Sequence, residues 1–149
     1  MNTNLHFSSN KQDWTTPSEF YNNLNKEFYF TLDPCCYKET ALCKNYYTLQ
    51  EDGLKQSWEG HRVFCNPPYG KEIKKWVEKY YIESKKENTL VVLLIPARTD
   101  TTYFHDYIYK PENEIRFIKG RLKFGGCKNP APFPSMVVIF NKNKKKICK

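Results

Sequence analysis

The chain has 149 residues and a mass of 17.8 kDa, a length typical of one domain rather than two. Apolar residues make up 40% and aromatic residues 16%, which excludes a disordered chain, and no apolar run approaches the ~20 residues needed to cross a bilayer. The formal charge of +8 is uneven, because residues 1–52 hold four lysines against seven acids, whereas residues 53–149 hold twenty basic residues against nine acids. A basic surface favours a polyanionic partner, and an acidic pocket favours a cation or a polyhydroxylated ligand.

Apolar segments that alternate with helical patterns predict an α/β fold built on a mostly parallel sheet. Three segments carry apolar residues at helical spacing: 17–28, 73–81 and 103–109. Pro17 suits the first helical position of the earliest segment. Six short apolar runs are candidate strands: 28–32, 46–49, 62–65, 90–95, 115–118 and 136–140. We expect the last two runs to form an antiparallel pair, and we expect one domain over residues 1–149 with loose ends at 1–12 and 142–149.

Polar residues follow three of these runs at the points where the predicted strands end. Asp33, Asn66 and Arg98 each come soon after one of them. The carboxyl ends of parallel strands meet at one edge of an open α/β sheet, and ligands bind at that edge. We therefore expect a ligand site there.

The segment Asn66-Pro67-Pro68-Tyr69 has the most specific chemistry in the sequence. Two prolines fix φ and remove backbone donors, so the segment is stiff and presents carbonyl oxygens. The Asn66 side chain and the Pro67 carbonyl can together accept both hydrogens of a planar amino group, and Tyr69 offers a face on which a base can stack. A nucleobase amine is a poor nucleophile because its lone pair is delocalised into the ring. Paired acceptors support the positive charge that develops as the amine attacks.

This tetrapeptide and its surroundings resemble the phage-type, Dam-like DNA adenine-N6 methyltransferase family, which uses S-adenosylmethionine. The shared segments run in order along nearly the whole chain: DWTTP at 13–17, LDPCC at 32–36, DGL at 52–54 with Trp58, FCNPPY at 64–69, LIPARTDT at 94–101, GRLKF at 120–124 and APFPSM at 131–136. The resemblance implies a Rossmann-like methyltransferase sheet, double-stranded DNA as the partner and methyl transfer to a flipped-out adenine. It implies a catalytic segment made of Asn66, Pro67, Pro68 and Tyr69.

The resemblance also implies a cofactor site for S-adenosylmethionine. The residues assigned to it are Trp14, Thr16, Pro17, Asp33, Pro34, Cys35 and Asp52. Asp33 would bind the amino group or the sulfonium side of the cofactor, and Asp52 would accept from its adenine amine. The acidic first third of the chain agrees with a cationic cofactor. Trp14 and Trp58 are also candidates for the core, and Trp14 is the better candidate for a shelf beneath the cofactor.

One departure from the wider superfamily concerns the loop after the first strand. The glycine-rich loop common there is absent, and residues 35–38 read CCYK instead. The short spacing between Asp33 and Asp52 predicts that the usual second and third strands are truncated.

Candidate substrate contacts follow the later strands. Arg98 and Thr99 could hold a phosphate and line a base pocket, although this segment also suits a helix N-cap at Asp100 or Thr101. Residues 110–128 hold six basic residues against two acids, and Arg121 and Lys123 are the best candidates for DNA contacts there. An ordinary lysine-rich surface is the alternative. A chain of this length has no room for a separate target-recognition domain.

Other features narrow the function further. Six cysteines without an apolar leader segment indicate reduced thiols in a cytoplasmic protein, within a bacterium or a phage-infected host cell, and their spacing predicts no metal site. Two functional alternatives remain open: a methyltransferase acting on RNA or on a protein glutamine amide, and a catalytically inactive DNA-binding relative. The sequence leaves the oligomeric state and the recognised DNA site open.

Overall fold

Six strands form one sheet in the computed structural model, which describes residues 14–140. The strands are β1 (Leu32–Asp33), β2 (Asn45–Tyr46), β3 (Arg62–Cys65), β4 (Leu90–Pro96), β5 (Asn113–Phe117) and β6 (Ser135–Phe140). They are arranged in the order β2-β1-β3-β4-β6-β5. The pairs among β2, β1, β3 and β4 are parallel, and β6 runs antiparallel to both β4 and β5. The α/β class, the mostly parallel sheet and the late antiparallel pair are therefore confirmed, whereas the Rossmann-like assignment stays a prediction.

Within residues 14–140, two α-helices, a π-helix and two 3₁₀ turns precede or connect the strands. They are α1 (Ser18–Phe28), α2 (Ile73–Ser84), the π-helix Phe104–Ile108, and the turns Lys38–Thr40 and Gly53–Lys55. The helix predicted to begin at Pro17 begins one residue later, with Pro17 as its extended N-cap. An N-cap was expected at Asp100 or Thr101. Thr101 is the one that caps the π-helix segment, since its hydroxyl accepts from the Phe104 N–H at 3.3 Å.

Both faces of the sheet are covered. Strand β4 is buried along its whole length, and its side chains alternate between two apolar clusters. Val91 and Leu93 pack with α2 and the π-helix on one face, while Val92 and Leu94 pack with α1 on the other. Continuous apolar runs such as 90–95 are typical of strands buried on both sides.

The run at 28–32 was expected to be a strand, and this prediction is wrong for most of it. Phe28 ends α1, because it continues the buried stripe that Tyr21 and Leu24 form on that helix. Tyr29 then adopts a left-handed conformation with φ 54°, and β1 begins only at Leu32. The pattern of apolar residues is the same for a helix end and a short strand, so it could not separate the two.

The region between β1 and β3 is short, as the spacing predicted. Within the described residues it contains one strand, β2, which has two residues in place of the run expected at 46–49. No helix in residues 14–140 is long and apolar enough to span a membrane. The predicted loose ends at 1–12 and 142–149 lie outside the described residues.

Candidate active site

Three features lie at one edge of the sheet: the tetrapeptide 66–69, the residues after β4, and the loop 118–134, which we call the basic loop. Strand β3 ends beside Leu93 of β4, so the tetrapeptide starts at the carboxyl edge of the parallel strands. Strand β6 runs in reverse and begins beside Pro96, which brings the loop 118–134 back to the same edge. The expected clustering at this edge is therefore present in the fold.

The Asn66 carboxamide is buried and held from both ends. Its Nδ2 donates to the backbone oxygen of Trp14 at 2.6 Å and to the Thr16 hydroxyl at 3.0 Å. Its Oδ1 accepts from the Tyr69 hydroxyl at 2.6 Å. The Trp14 oxygen can only accept, so the amide nitrogen has to face it, and this fixes the direction of Oδ1. The Asn66 oxygen is thus a pre-oriented acceptor.

The Tyr69 ring is half-buried in an aromatic cluster. Trp14 lies nearly parallel to it, with ring centroids 6.3 Å apart, and Phe133 and Phe124 meet it edge-on at 5.6 and 6.4 Å. The pKa of Tyr69 is raised well above its ordinary value, mainly by burial and to a smaller extent by the nearby Cys65. The phenol therefore stays protonated and donates to Asn66. One face of this ring is already in contact with Trp14.

Two cavities open beside the tetrapeptide. The larger has a volume of about 410 Å³ and the smaller about 30 Å³. Among the residues predicted to bind or transform ligands, the smaller cavity is lined by Trp14, Thr16, Asp33, Cys35 and Asn66. The larger is lined by Pro34, Cys35, Asp52 and Pro68. Since Cys35 and Cys36 line both cavities, the two spaces adjoin at the end of β1.

Asp33 shapes the loop that follows β1. Its side chain is buried, and its two carboxylate oxygens accept from the backbone N–H groups of Cys35 and Leu42 at 3.3 and 3.2 Å. The carboxylate thereby ties together two separated parts of this loop. Asp33 also lines the smaller cavity, so a ligand role is compatible with its position.

Asp52 stands in a tightly constrained turn on the wall of the larger cavity. It has a left-handed backbone with φ 58°, and its Oδ1 accepts from the Leu54 N–H at 3.2 Å. The next residue, Gly53, packs so closely on the end of β1 that a Cβ there would lie 2.1 Å from the Pro34 oxygen. The turn therefore requires glycine at this position.

The predicted DNA contacts lie around the edge rather than inside the cavities. Arg98, Thr99, Arg121 and Lys123 are all exposed. Lys123 precedes Phe124, which packs against Tyr69, and Gly125 donates to the Thr15 oxygen at 2.8 Å. The basic loop is thereby joined to the segment that holds Asn66.

The structure thus brings together most of the predicted site. Seven predicted site residues are outside both cavities: Pro17, Pro67, Tyr69, Arg98, Thr99, Arg121 and Lys123. Of these, Pro67 and Tyr69 are next in the chain to Asn66 and Pro68, which line the cavities. Trp58 is fully buried, which confirms it as a core residue. Sequence reasoning gave no role to several residues around the site: Cys36, Gly53, Leu54, Glu72, Lys75, Trp76, Phe124 and Phe133. Five of them lie in the shared segments, which is the sequence signal that could have marked them: Cys36, Gly53, Leu54, Phe124 and Phe133.

The cysteines in the described part of the chain are free thiols, of which Cys36 and Cys65 are buried and the others are partly exposed. All five cysteines there are free of disulfides, and no group of three or more His, Cys, Asp or Glu within residues 14–140 could hold a metal ion. Burial raises the pKa of Cys43 to about 11, and burial together with the neighbouring Cys35 raises that of Cys65. Neither thiol is a thiolate nucleophile near neutral pH.

Comparison with known proteins identifies relatives of this chain. A protein-family model described as DNA N-6-adenine-methyltransferase (Dam) matches residues 3–148. The DNA N-6-adenine-methyltransferase of Haemophilus phage HP1 (strain HP1c1) is 26% identical over 143 residues, which cover 89% of this chain and 80% of the relative.

Proposed function

Because this chain belongs to the DNA N-6-adenine-methyltransferase (Dam) family, we propose that it transfers a methyl group from S-adenosylmethionine to the N6 amine of an adenine in DNA. The observation that supports this most is the Asn66 carboxamide, a pre-oriented acceptor in a tetrapeptide that contributes to the walls of both cavities. Such a transfer needs the amine and the methyl donor to meet at one point, and proximity and orientation are large catalytic effects in a two-substrate reaction.

The larger cavity fits the cofactor in size and in chemistry. Its volume of about 410 Å³ lies within the range of roughly 300–1,000 Å³ found for small-molecule sites. Asp52 supplies a carboxylate for a cationic ligand, while Leu54, Pro68 and Trp76 supply apolar walls. A second carboxylate in the lining, Glu72, is paired with Lys75 at 3.6 Å. Asp52, Pro34 and Cys35 would hold S-adenosylmethionine here, with Trp14, Thr16 and Asp33 extending the site into the smaller cavity. When bound, S-adenosylmethionine supplies a methyl group activated by its sulfonium sulfur.

The tetrapeptide then acts on the target amine. Asn66 Oδ1 and the Pro67 carbonyl accept its two hydrogens, which supports the positive charge that develops on the nitrogen. The hydrogen bonds from Nδ2 to the Trp14 oxygen and to Thr16 keep the Asn66 oxygen in place, so little reorganisation is needed at the moment of reaction. No general base is required before the attack.

The target adenine has to leave the DNA stack to reach this point, because its amine lies inside the duplex. We assign Tyr69 as the ring on which the flipped base stacks, a contact worth about 1–3 kcal/mol. Trp14 already lies along this ring, with 6.3 Å between the ring centroids. A base that stacks on that face therefore displaces the indole.

The exposed basic residues supply the contacts to the DNA backbone. Arg98, Thr99, Arg121 and Lys123 surround the sheet edge on which the tetrapeptide lies, and the positive excess of residues 53–149 favours a polyanion. The described domain would thus carry both sites, and it would act in the cytoplasm of a bacterium or of a phage-infected cell.

A trial of three acceptors with methyl-labelled S-adenosylmethionine tests this function. We expect the wild-type chain to label duplex DNA, with all label recovered as N6-methyladenine after digestion to nucleosides. Label in RNA or in protein glutamine, and none in DNA, would refute the assigned substrate. Calorimetric titration with S-adenosylmethionine tests the remaining alternative, because an inactive DNA-binding relative would release no heat of cofactor binding.

A further inference from the structure

Asp52 lies on the wall of the larger cavity. The segment that follows it is anchored by Glu83, a buried carboxylate on α2. Glu83 is 1% exposed, and its Oε1 accepts from the Trp58 backbone N–H at 2.6 Å. Its Oε2 lies 3.0 Å from the Lys79 ammonium and 2.8 Å from that of Lys86. A buried charge persists only where donors surround it, and these three donors do so. Glu83 therefore fixes the backbone at Trp58 firmly.

Trp58 passes this restraint to the turn beside the cavity. Its indole Nε1 donates to the Gly53 oxygen at 3.0 Å, in a fully buried contact. Gly53 in turn lies against the Pro34 oxygen, with no room for a Cβ. Lys79 adds a second tie from the same helix, because its ammonium donates to the Gln56 oxygen at 2.6 Å. The segment 53–58 is thus clamped between α2 and the end of β1.

Asp52 depends on this clamp because of its own backbone. A left-handed conformation is unfavourable for a residue with a Cβ and persists where surrounding contacts impose it. Besides its contacts with Lys55, Asp52 makes two local bonds, from its N–H to the Thr48 oxygen and from the Leu54 N–H to its Oδ1. Neither bond fixes Gly53 against Pro34, whereas the Trp58 indole does.

We propose that Glu83 and Trp58 are positioning residues for the cofactor, acting through Gly53 to keep the Asp52 carboxylate on the wall of the larger cavity. This role rests on the proposed function, since it assigns that cavity to S-adenosylmethionine. Neither residue touches the cavity itself. Their effect is on the affinity for the cofactor, and the chemical step at Asn66 proceeds normally once the cofactor is bound.

The variant Trp58→Phe tests the proposal, because it keeps most of the ring and removes the donor to Gly53. We expect the Kd for S-adenosylmethionine to rise about tenfold, the effect of losing one buried hydrogen bond. We expect kcat at saturating cofactor to stay unchanged. Amide hydrogen exchange should accelerate at Leu54 and Lys55, whose N–H groups bond to Asp52. Ile139→Val, in the apolar cluster on the other face of the sheet, is the control for a general loss of stability.

Each result decides the proposal. A higher Kd and faster exchange in Trp58→Phe, with neither in Ile139→Val, support it. A Kd equal to that of the wild type overturns it, whether or not exchange changes, as does an equal rise in the control. If Trp58→Phe does not fold, Trp58→Met takes its place with the same criteria, since its flexible side chain adapts to the buried space and also lacks a donor to the Gly53 oxygen. A wild-type chain that binds no S-adenosylmethionine would refute the proposed function first, and this role with it.

Discussion

Replacing Glu83 with glutamine should destabilise the protein strongly, although the side chain keeps its shape. The carboxylate is 1% exposed and accepts from the Trp58 N–H and from the ammonium groups of Lys79 and Lys86. A glutamine oxygen can still accept from Trp58. Its amide nitrogen would face two ammonium groups, and both of those contacts would be lost.

The size of this destabilisation depends on whether each lysine can replace the contact that it loses. Hydrogen bonds to charged groups contribute about 1.5–3 kcal/mol each, and breaking a buried ion pair costs about 3–5 kcal/mol. The Lys86 side chain is 33% exposed and can turn to water, and Lys79 keeps its bond to the Gln56 oxygen. We therefore expect a loss of about 3 kcal/mol in the free energy of unfolding, at the lower end of that range.

The free energy of unfolding that Glu83→Gln loses should also depend on pH. Burial alone would raise the pKa of Glu83, but hydrogen bonds from Lys86, Trp58 and Lys79 outweigh it and lower the pKa below the ordinary value of 4.5. A lowered pKa in the folded state stabilises the protein above the unfolded value, and this stabilisation disappears as the pH falls through the folded value. The gap between wild type and variant should thus be widest near pH 7 and should narrow below pH 4.5.

Urea unfolding at several pH values measures both effects. Glu78→Gln is the matched control, because Glu78 lies on the same helix and is exposed. A loss below about 1 kcal/mol for Glu83→Gln at pH 7, or a gap that stays constant on acidification, would refute this account of the buried charge.

Substitutions at four further positions have defined outcomes. Gly53→Ala should weaken S-adenosylmethionine binding in calorimetry and lower the melting temperature, because its Cβ would lie 2.1 Å from the Pro34 oxygen; unchanged values would show that the turn can shift freely. Arg121→Ala and Lys123→Ala should each weaken binding to all DNA sequences and lower the slope of log K against log salt by about 1, and an unchanged slope would remove that residue from the DNA interface. Tyr69→Phe keeps the stacking ring and loses the hydroxyl that donates to the carboxamide oxygen of the tetrapeptide at 2.6 Å. Methyl transfer should therefore fall less than in Tyr69→Ala, and equal losses would argue against stacking.

The sequence predicted the parts of the fold that depend on local pattern. The runs at 62–65, 90–95 and 136–140 match β3, β4 and β6 within a residue, because each is apolar and two of them are bounded by proline. The helix at 73–81 was clear from its apolar stripe and corresponds to α2. The run at 28–32 failed because Phe28 fits a helix and a strand equally well, and only packing against the sheet decides between them.

The candidate site could be predicted only as far as its residues are close in the chain. The chemistry of the tetrapeptide can be inferred from its four residues. Its location at the carboxyl edge of the sheet can be inferred from the direction of the parallel strands. The contact of Asn66 with Trp14 spans 52 residues, and the donation from Trp58 to Glu83 spans 25. No local periodicity encodes such pairings. Asp33 was expected to bind a ligand, yet its bonds to the loop at Cys35 and Leu42 depend on the folded backbone.

Methyl transfer by Asn66→Ala is the most direct test of the chemistry assigned to this chain. The rate of labelled transfer to duplex DNA and the Kd for S-adenosylmethionine are measured on the same folded sample. The loss of one pre-oriented group that supports developing charge costs about 10²–10³ in rate. We predict a loss of that size with cofactor affinity retained. Transfer at a rate near that of the wild type would contradict the role of the Asn66 oxygen in binding the amine.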